Sequence, residues 1–140
     1  MSEEKKIKVV LLEPGKLART AEIGTSIEDL QNAVDGLIEP FYPFEEQVCI
    51  VCNDEGKING MLPNRSVKNK DGVFLCDLVV MVDFIFGPAF ICDCRGESFD
   101  SLSDEQIARY TKMFRYPEHL ARLNGKLIGI PFNPQREHER

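Results

Sequence analysis

The residues of this chain whose types could do chemistry are five cysteines, two histidines and a polar stretch running from Asn53 to Arg65. Cys49-Ile50-Val51-Cys52 and Cys92-Asp93-Cys94 offer two thiol pairs, with Cys76 between them. Four thiolates would suit zinc. The spacing argues against it, because Cys49 and Cys52 lie three apart in an apolar strand-like run and so point to opposite faces. No glycine or turn residue makes a knuckle inside that pair, and the expectation is buried inert thiols with no metal. His119 follows Pro117 and His138 lies close to the last residue, neither near a cysteine in sequence, so a Cys-His nucleophile pair has no support. There is no Gly-x-Ser-x-Gly elbow. Glu13-Pro14-Gly15-Lys16 has one glycine and no helix behind it, which makes it a solvated turn and not a phosphate loop. No catalytic residue and no cofactor are expected.

Asn53, Asp54, Asn59, Asn64 and Arg65 form the candidate ligand-binding set, with Glu55, Gly56 and Gly60 among them. Side-chain amides and a guanidinium can assemble a small hydrogen-bonding site. Equally, Asn53 and Gly56 can build a turn while Arg65 clamps a neighbour. Gly56, Gly60 and Pro63 bend the chain between Asn53 and Arg65, and closing so short a loop costs little entropy. The expectation is that both residues meet at one loop end of the sheet, in a polar concavity.

The elements that must position these residues are read from periodicity. Ile7 to Leu12 is a strand rich in β-branched residues, and Arg19 to Ile23 returns as a short second one. Thr25-Ser26-Ile27-Glu28 fits a capping box, after which Ile27, Leu30 and Val34 share one helical face and Gly36 stops the helix. Leu37 to Phe41 and Gln47 to Cys52 are strands joined through Tyr42-Pro43-Phe44-Glu45-Glu46. Met61 to Val67 has neither period and is predicted as an irregular crossing, and Asn69-Lys70-Asp71-Gly72 as a turn. Leu78 to Phe86 and Ala89 to Cys94 are the most apolar strands and are placed in the middle of the sheet. The last helix has three agreeing signals: Ser103 caps, Gln106 completes the box, and Leu102 staples against Ile107. Ile107, Tyr110 and Phe114 then face a sheet, and Pro117 ends the helix. Leu127 to Ile130 is predicted as an edge strand, and Gln135 to Arg140 as frayed. The class is α+β: a single domain over residues 1–140, with a mixed or mostly antiparallel sheet packed by two main helices.

Composition sets the outer limits. The chain has 140 residues and a formal charge of 17 − 23 = −6, the wrong sign for a protein that coats nucleic acid by neutralising phosphates. A chain of this size buries enough surface to fold without metal or disulfide. Neither a helix-turn-helix nor a basic stripe is present. The apolar window from Val73 to Cys92 is interrupted by Asp77 and Asp83 and broken at Gly87-Pro88, so it reads as buried strands and not as a membrane span. The charged opening residues do not fit a signal peptide, and the odd cysteine count suits a reducing compartment; the expected location is cytoplasmic.

An ordered set of short motifs adds kinship. Glu13-Pro14-Gly15-Lys16, Leu30-Gln31 with Gly36, Ile38-Glu39, Tyr42-Pro43-Phe44, Cys52-Asn53-Asp54-Glu55-Gly56-Lys57, Leu62-Pro63-Asn64-Arg65 and Phe99-Asp100-Ser101-Leu102-Ser103 with Asp104-Glu105 resemble the domain of unknown function 3846 family. The resemblance covers roughly residues 7–118 and leaves a C-terminal extension, 119–140. It implies a small cytosolic protein of phages and bacterial mobile elements and carries no activity. The chain departs from the family pattern at Met81-Val82-Asp83, where a Gly-Thr pair is expected. The leading expectation is a non-catalytic binding or accessory protein acting through a protein partner, with homo-oligomerisation left open. The rival is a small-molecule binder or enzyme in which the Asn residues and Arg65 contact an anionic or nucleotide-like ligand, in the service of counter-defence.

Overall fold

The computed structural model describes residues 5–56, 59–68 and 82–135. Five strands form one sheet: β1 (Lys6–Leu12), β2 (Arg19–Gly24), β3 (Ile38–Phe41), β4 (Val48–Asn53) and, after two strands of a second sheet, β7 (Ala89–Asp93). Their order is β2-β1-β7-β4-β3 and every pairing is antiparallel. Helix α1 (Ile27–Val34) covers one face and helix α2 (Asp104–Met113) the other. The alternation of β1 shows why: Ile7 and Val9 pack with Leu30 and Val34 of α1, whereas Val10 and Leu12 pack with Tyr110 and Phe114 of α2. With both faces covered, β7 is buried at all five positions, which is what its unbroken apolar run requires. The fold is α+β, with two helices and a mostly antiparallel sheet among the described residues.

Helix ends follow local chemistry. In α2, Ser103 accepts from the Gln106 backbone N–H and the Gln106 side chain accepts from the Ser103 N–H, the reciprocal box that the sequence predicts. In α1 the cap lies one residue later than predicted: Ser26, not Thr25, accepts from Asp29 N–H at 3.0 Å. The helix closes with Asp35 in the left-handed region (φ 63°), its N–H on Asn32 and the Gly36 N–H on Gln31, so the turn that ends the helix begins one residue before Gly36.

Two smaller antiparallel pairs lie outside the main sheet. β5 (Pro63–Lys68) pairs with β6 (Val82–Phe86), and Val67 and Ile85 extend the core on the α2 face. The segment predicted as an irregular crossing is therefore a strand. Its period is hidden by a register shift between Pro63 and Arg65, which turns Asn64 and Arg65, adjacent residues, both inward. β6 also corrects the mid-sheet prediction, since among the described strands it pairs with β5 alone. β8 (Glu118–Leu123) and β9 (Lys126–Pro131) form a hairpin around Asn124-Gly125, a turn of the kind that suits strand twist. The predicted edge strand exists within β9, paired to β8 and not to the main sheet. The predicted turn at Asn69–Gly72, the residues 78–81 and Met81 lie outside the described residues, as do 136–140. No helix among the described residues is long and apolar enough to cross a membrane.

Candidate functional site

Arg65 is the most heavily hydrogen-bonded side chain among the described residues. It is 1% exposed, and its guanidinium donates to four backbone carbonyls: Phe114 at 2.8 Å, Lys16 at 2.6 Å, Glu13 at 3.2 Å and Arg115 at 3.5 Å. A fifth bond, 2.5 Å, goes to Oδ1 of Asn64. Asn64, fully buried, in turn donates to the carbonyls of Leu12 and Gly87 at 3.0 and 2.8 Å. The two residues thus join the β1–β2 turn, the end of α2 and the β6–β7 junction. Burial pulls the Arg65 guanidinium down to about 10, opposed by the charges of Glu118 and Glu13. It remains a cation at neutral pH, with each of its nitrogens already donating inside the fold.

Asn53 serves the opposite face. Its Nδ2 donates to the carbonyls of Val34 and Asp35 at 3.0 and 3.1 Å, supplying donors that the end of α1 lacks, and its Oδ1 accepts from the Glu55 N–H at 2.7 Å. A Cβ on Gly36 would sit 2.6 Å from Nδ2, so glycine at that position leaves room for this cap. Position parity on β4 puts Asn53 on the α1 face with Cys49 and Val51, while Arg65 belongs to the α2 face. The expected meeting of Asn53 with Arg65 does not occur. Asp54 and Asn59 are exposed and contribute backbone N–H bonds to Leu37 and Glu55. Of the five candidate residues, the structure brings together Asn64 and Arg65 alone.

What opens to solvent on the α2 face is a groove of about 760 Å³, and Arg65 forms part of its floor. Pro43, Phe44, Glu45 and Glu46 make one wall, Arg109, Tyr110, Met113 and Phe114 of α2 another, and Ser66, Tyr116 and Glu118 the third. Glu46 is pinned: it accepts from the hydroxyl of Tyr110, from Arg109 Nη1 and from Gln106 Nε2. The Tyr110 bond, with Gln106 and Arg109 assisting, holds the Glu46 carboxyl below its ordinary range, and burial and the same carboxylate raise the Tyr110 phenol. Phe44 packs its ring 4.7 Å from that of Tyr110. Glu118 reaches across from β8 to β5, where its Oε1 accepts from the backbone N–H and the hydroxyl of Ser66 at 2.9 and 2.7 Å. Met113 stays 55% exposed and Tyr116 36%.

A model of the family described as Domain of unknown function (DUF3846) matches residues 7–115. The chain belongs to this family. No curated protein and no solved structure matches it. Within this DUF3846 chain the motifs that carried the resemblance are joined physically: Asn64-Arg65 of one motif binds the carbonyls of Glu13 and Lys16 in another, and Asn53 closes the helix that ends before Gly36. Two of those motifs also reach the groove, through Pro43, Phe44 and Arg65, while no motif signalled its other lining residues. They come from four separated segments, and two of them, Tyr116 and Glu118, lie past the matched region.

The four cysteines of the DUF3846 chain that lie among the described residues split by face as strand parity requires. Cys49 and Cys92 are fully buried and directly opposed across β4 and β7, with their sulfurs 3.9 Å apart, and Cys94 joins them on the α1 face. Cys52 packs on the other face and approaches the Glu39 carbonyl. The contact with Cys92 and burial push the Cys49 thiol far up, and burial raises Cys94 to about 11. These are thiols held protonated, the opposite of a nucleophile's environment. No group of three or more His, Cys, Asp or Glu side chains is arranged to hold a metal ion among the described residues. His119 stacks on Phe132 with centroids 3.9 Å apart.

Proposed function

We propose that this DUF3846 protein is a non-catalytic binding protein that acts through a protein partner, and that the partner docks a segment in the groove of the α2 face. The observation that carries this reading is the pairing of an open groove of about 760 Å³ with apolar side chains left uncovered on its walls, Met113 above all. Aromatic residues and methionine are the side chains enriched where protein surfaces meet. A catalytic reading has less to stand on. The Tyr110 phenol and the Glu46 carboxylate of the groove are bonded to each other, and its floor guanidinium is spent on carbonyls and Asn64. An accessory role in a phage or mobile element follows from family kinship and is part of the same proposal.

The test is a photo-crosslinking amino acid at position 113, with the same group at Glu28 on the exposed side of α1 as a control, in a bacterial host expressing the full chain. A discrete protein adduct from 113 and none from 28 is the expected result. Adducts from 28 alone, or the same ones from both sites, would overturn the assignment of the groove.

A further inference from the structure

Three sulfurs meet on the α1 face, at the end of the sheet where β4 begins and β7 stops. Cys49 and Cys92 are fully buried with their sulfurs 3.9 Å apart, and the half-buried Cys94 packs against them. Cys94 is a side-chain hydrogen-bond partner of Cys49, so the thiols stand in the order Cys94, Cys49, Cys92. The sheet register fixes the backbone beneath them. The Cys94 N–H donates to the Gln47 carbonyl at 3.1 Å, which makes Gln47 and Cys94 a hydrogen-bonded pair; two positions on, Cys49 and Cys92 are again such a pair. Opposed residues of this kind have Cα atoms about 5.5 Å apart, inside the range of about 4.4–6.8 Å that a disulfide spans. Closing the gap between the two sulfurs therefore asks for side-chain rotation and little strand movement.

A wholly buried pair meets no reagent from solvent, and an alkylating reagent stops at Cys94. A disulfide behaves differently, because exchange hands the bond from sulfur to sulfur. We propose that Cys94 is a thiol–disulfide exchange site for a small disulfide of the oxidised-glutathione class, and that Cys49 and Cys92 receive the bond. Cys94 attacks the small disulfide, which forms a mixed disulfide and releases one small thiol. Cys49 attacks the Cys94 sulfur, and its proton leaves with the second small thiol. Cys92 then attacks the Cys49 sulfur, and its proton goes to Cys94, which becomes a thiol again. One small disulfide is reduced to two thiols and one protein dithiol is oxidised. Burial holds the Cys94 thiol up at about 11, so the first attack is slow, a matter of hours. The product ties β4 to β7 and closes a long loop, which stabilises the chain by restricting its unfolded state.

The test incubates the full chain carrying Cys76→Ser, folded and without denaturant, with oxidised glutathione at pH 8, and maps the disulfides after an acid quench. A Cys49–Cys92 disulfide is the expected product, and adding Cys94→Ser should slow its formation by about tenfold or more while circular dichroism shows the same fold. Cys94→Ala serves the same purpose if serine disturbs the fold. The crosslinked chain should unfold at a higher urea midpoint than the dithiol. Glutathione held at Cys94 with no internal link, a bond that stays between Cys49 and Cys94, or no reaction of the folded chain would each overturn the relay. So would a crosslink that forms as fast without Cys94, since unfolding and not transfer then exposes the pair. An unchanged or lower midpoint overturns the stabilising role of the bond.

Discussion

Replacing Arg65 tests whether this side chain is a brace of the fold. Arg65→Met keeps much of the volume and removes every donor; Arg65→Lys keeps the charge but gathers its donors on one nitrogen. In the native chain three bonds are short, to Phe114, Lys16 and Asn64, at 2.8, 2.6 and 2.5 Å. A hydrogen bond from a charged group contributes about 1.5–3 kcal/mol, and a buried carbonyl left without its donor costs about 1–3 kcal/mol. Three such bonds at the low end total roughly 4–5 kcal/mol, from which the relief of no longer burying a guanidinium subtracts. About 4 kcal/mol for Arg65→Met and about 2 kcal/mol for Arg65→Lys are the expected losses. The chain has no tryptophan, so urea unfolding is followed by far-ultraviolet circular dichroism. With a denaturant slope of about 2 kcal/mol per molar, the midpoint should fall by about 2 M and about 1 M respectively. Arg109→Met, which removes an exposed guanidinium on the same face of α2, should barely move it. A midpoint for Arg65→Met within about 0.3 M of the parent would refute the reasoning, because it would mean that water or rearrangement satisfies those carbonyls at no cost.

Three further outcomes follow from the same geometry. Asn53→Ala removes the Val34 and Asp35 bonds and the Glu55 bond, and should cost about 2–3 kcal/mol in urea unfolding, with exchange of the α1 amides accelerated more than that of α2; equal acceleration of both helices would refute the assignment of Asn53 to α1. Glu46 has its folded pKa below the ordinary 4.5, so its contribution is fully present above that value and is lost as pH falls through the folded pKa. Stability measured from pH 6 down to about 3 should therefore decline less steeply in Glu46→Gln than in the parent, and parallel profiles would refute the prediction. In a Cys76→Ser background, a thiol reagent at pH 8 should leave Cys49 and Cys92 unmodified until the chain unfolds, which peptide mapping after native and denatured labelling reads directly.

The parts of the fold that were legible in the sequence are those whose signals are local. The Ser103–Gln106 box and the β1 alternation need only a few neighbouring residues, and both elements lie where those signals put them. The α1 cap was displaced by one because Thr25 and Ser26 can each accept, and Glu28 and Asp29 each lie three residues beyond one of them; the choice is made by where the chain leaves β2. β5 was illegible because a bulge places two polar residues inward side by side, which erases the period that marks a strand. The meeting of Asn53 with Arg65 failed for a related reason. Loop length measures how cheaply two points come together, but strand parity decides which side of a sheet each one faces. The groove as a whole has no sequence signal: Pro43, Phe44 and Arg65 fall within motifs, but Ser66, Met113 and Glu118 belong to separate elements and share no spacing.

That contrast bears on what membership of the DUF3846 family can mean. A backbone carbonyl at Glu13, Lys16 or Phe114 is an acceptor whatever side chain is present there, so the residue that satisfies all of them together must be a long, forked donor. Arginine is the one such side chain, and Asn64, which orients it, is nearly as constrained. Motifs built from these residues therefore report that the β1–β2 turn, β5 and the end of α2 come together, which is a statement about architecture. The groove walls obey a looser rule: Met113 and Tyr116 can change size or polarity at small cost to the fold, because much of each side chain already faces water. Binding can be retuned at the walls while the brace beneath them stays fixed, and in this chain the third wall reaches beyond the matched region to Glu118. The family match accordingly identifies the scaffold of this protein, and the partner proposed for it is to be sought through the chemistry of Phe44, Met113, Tyr116 and Glu118.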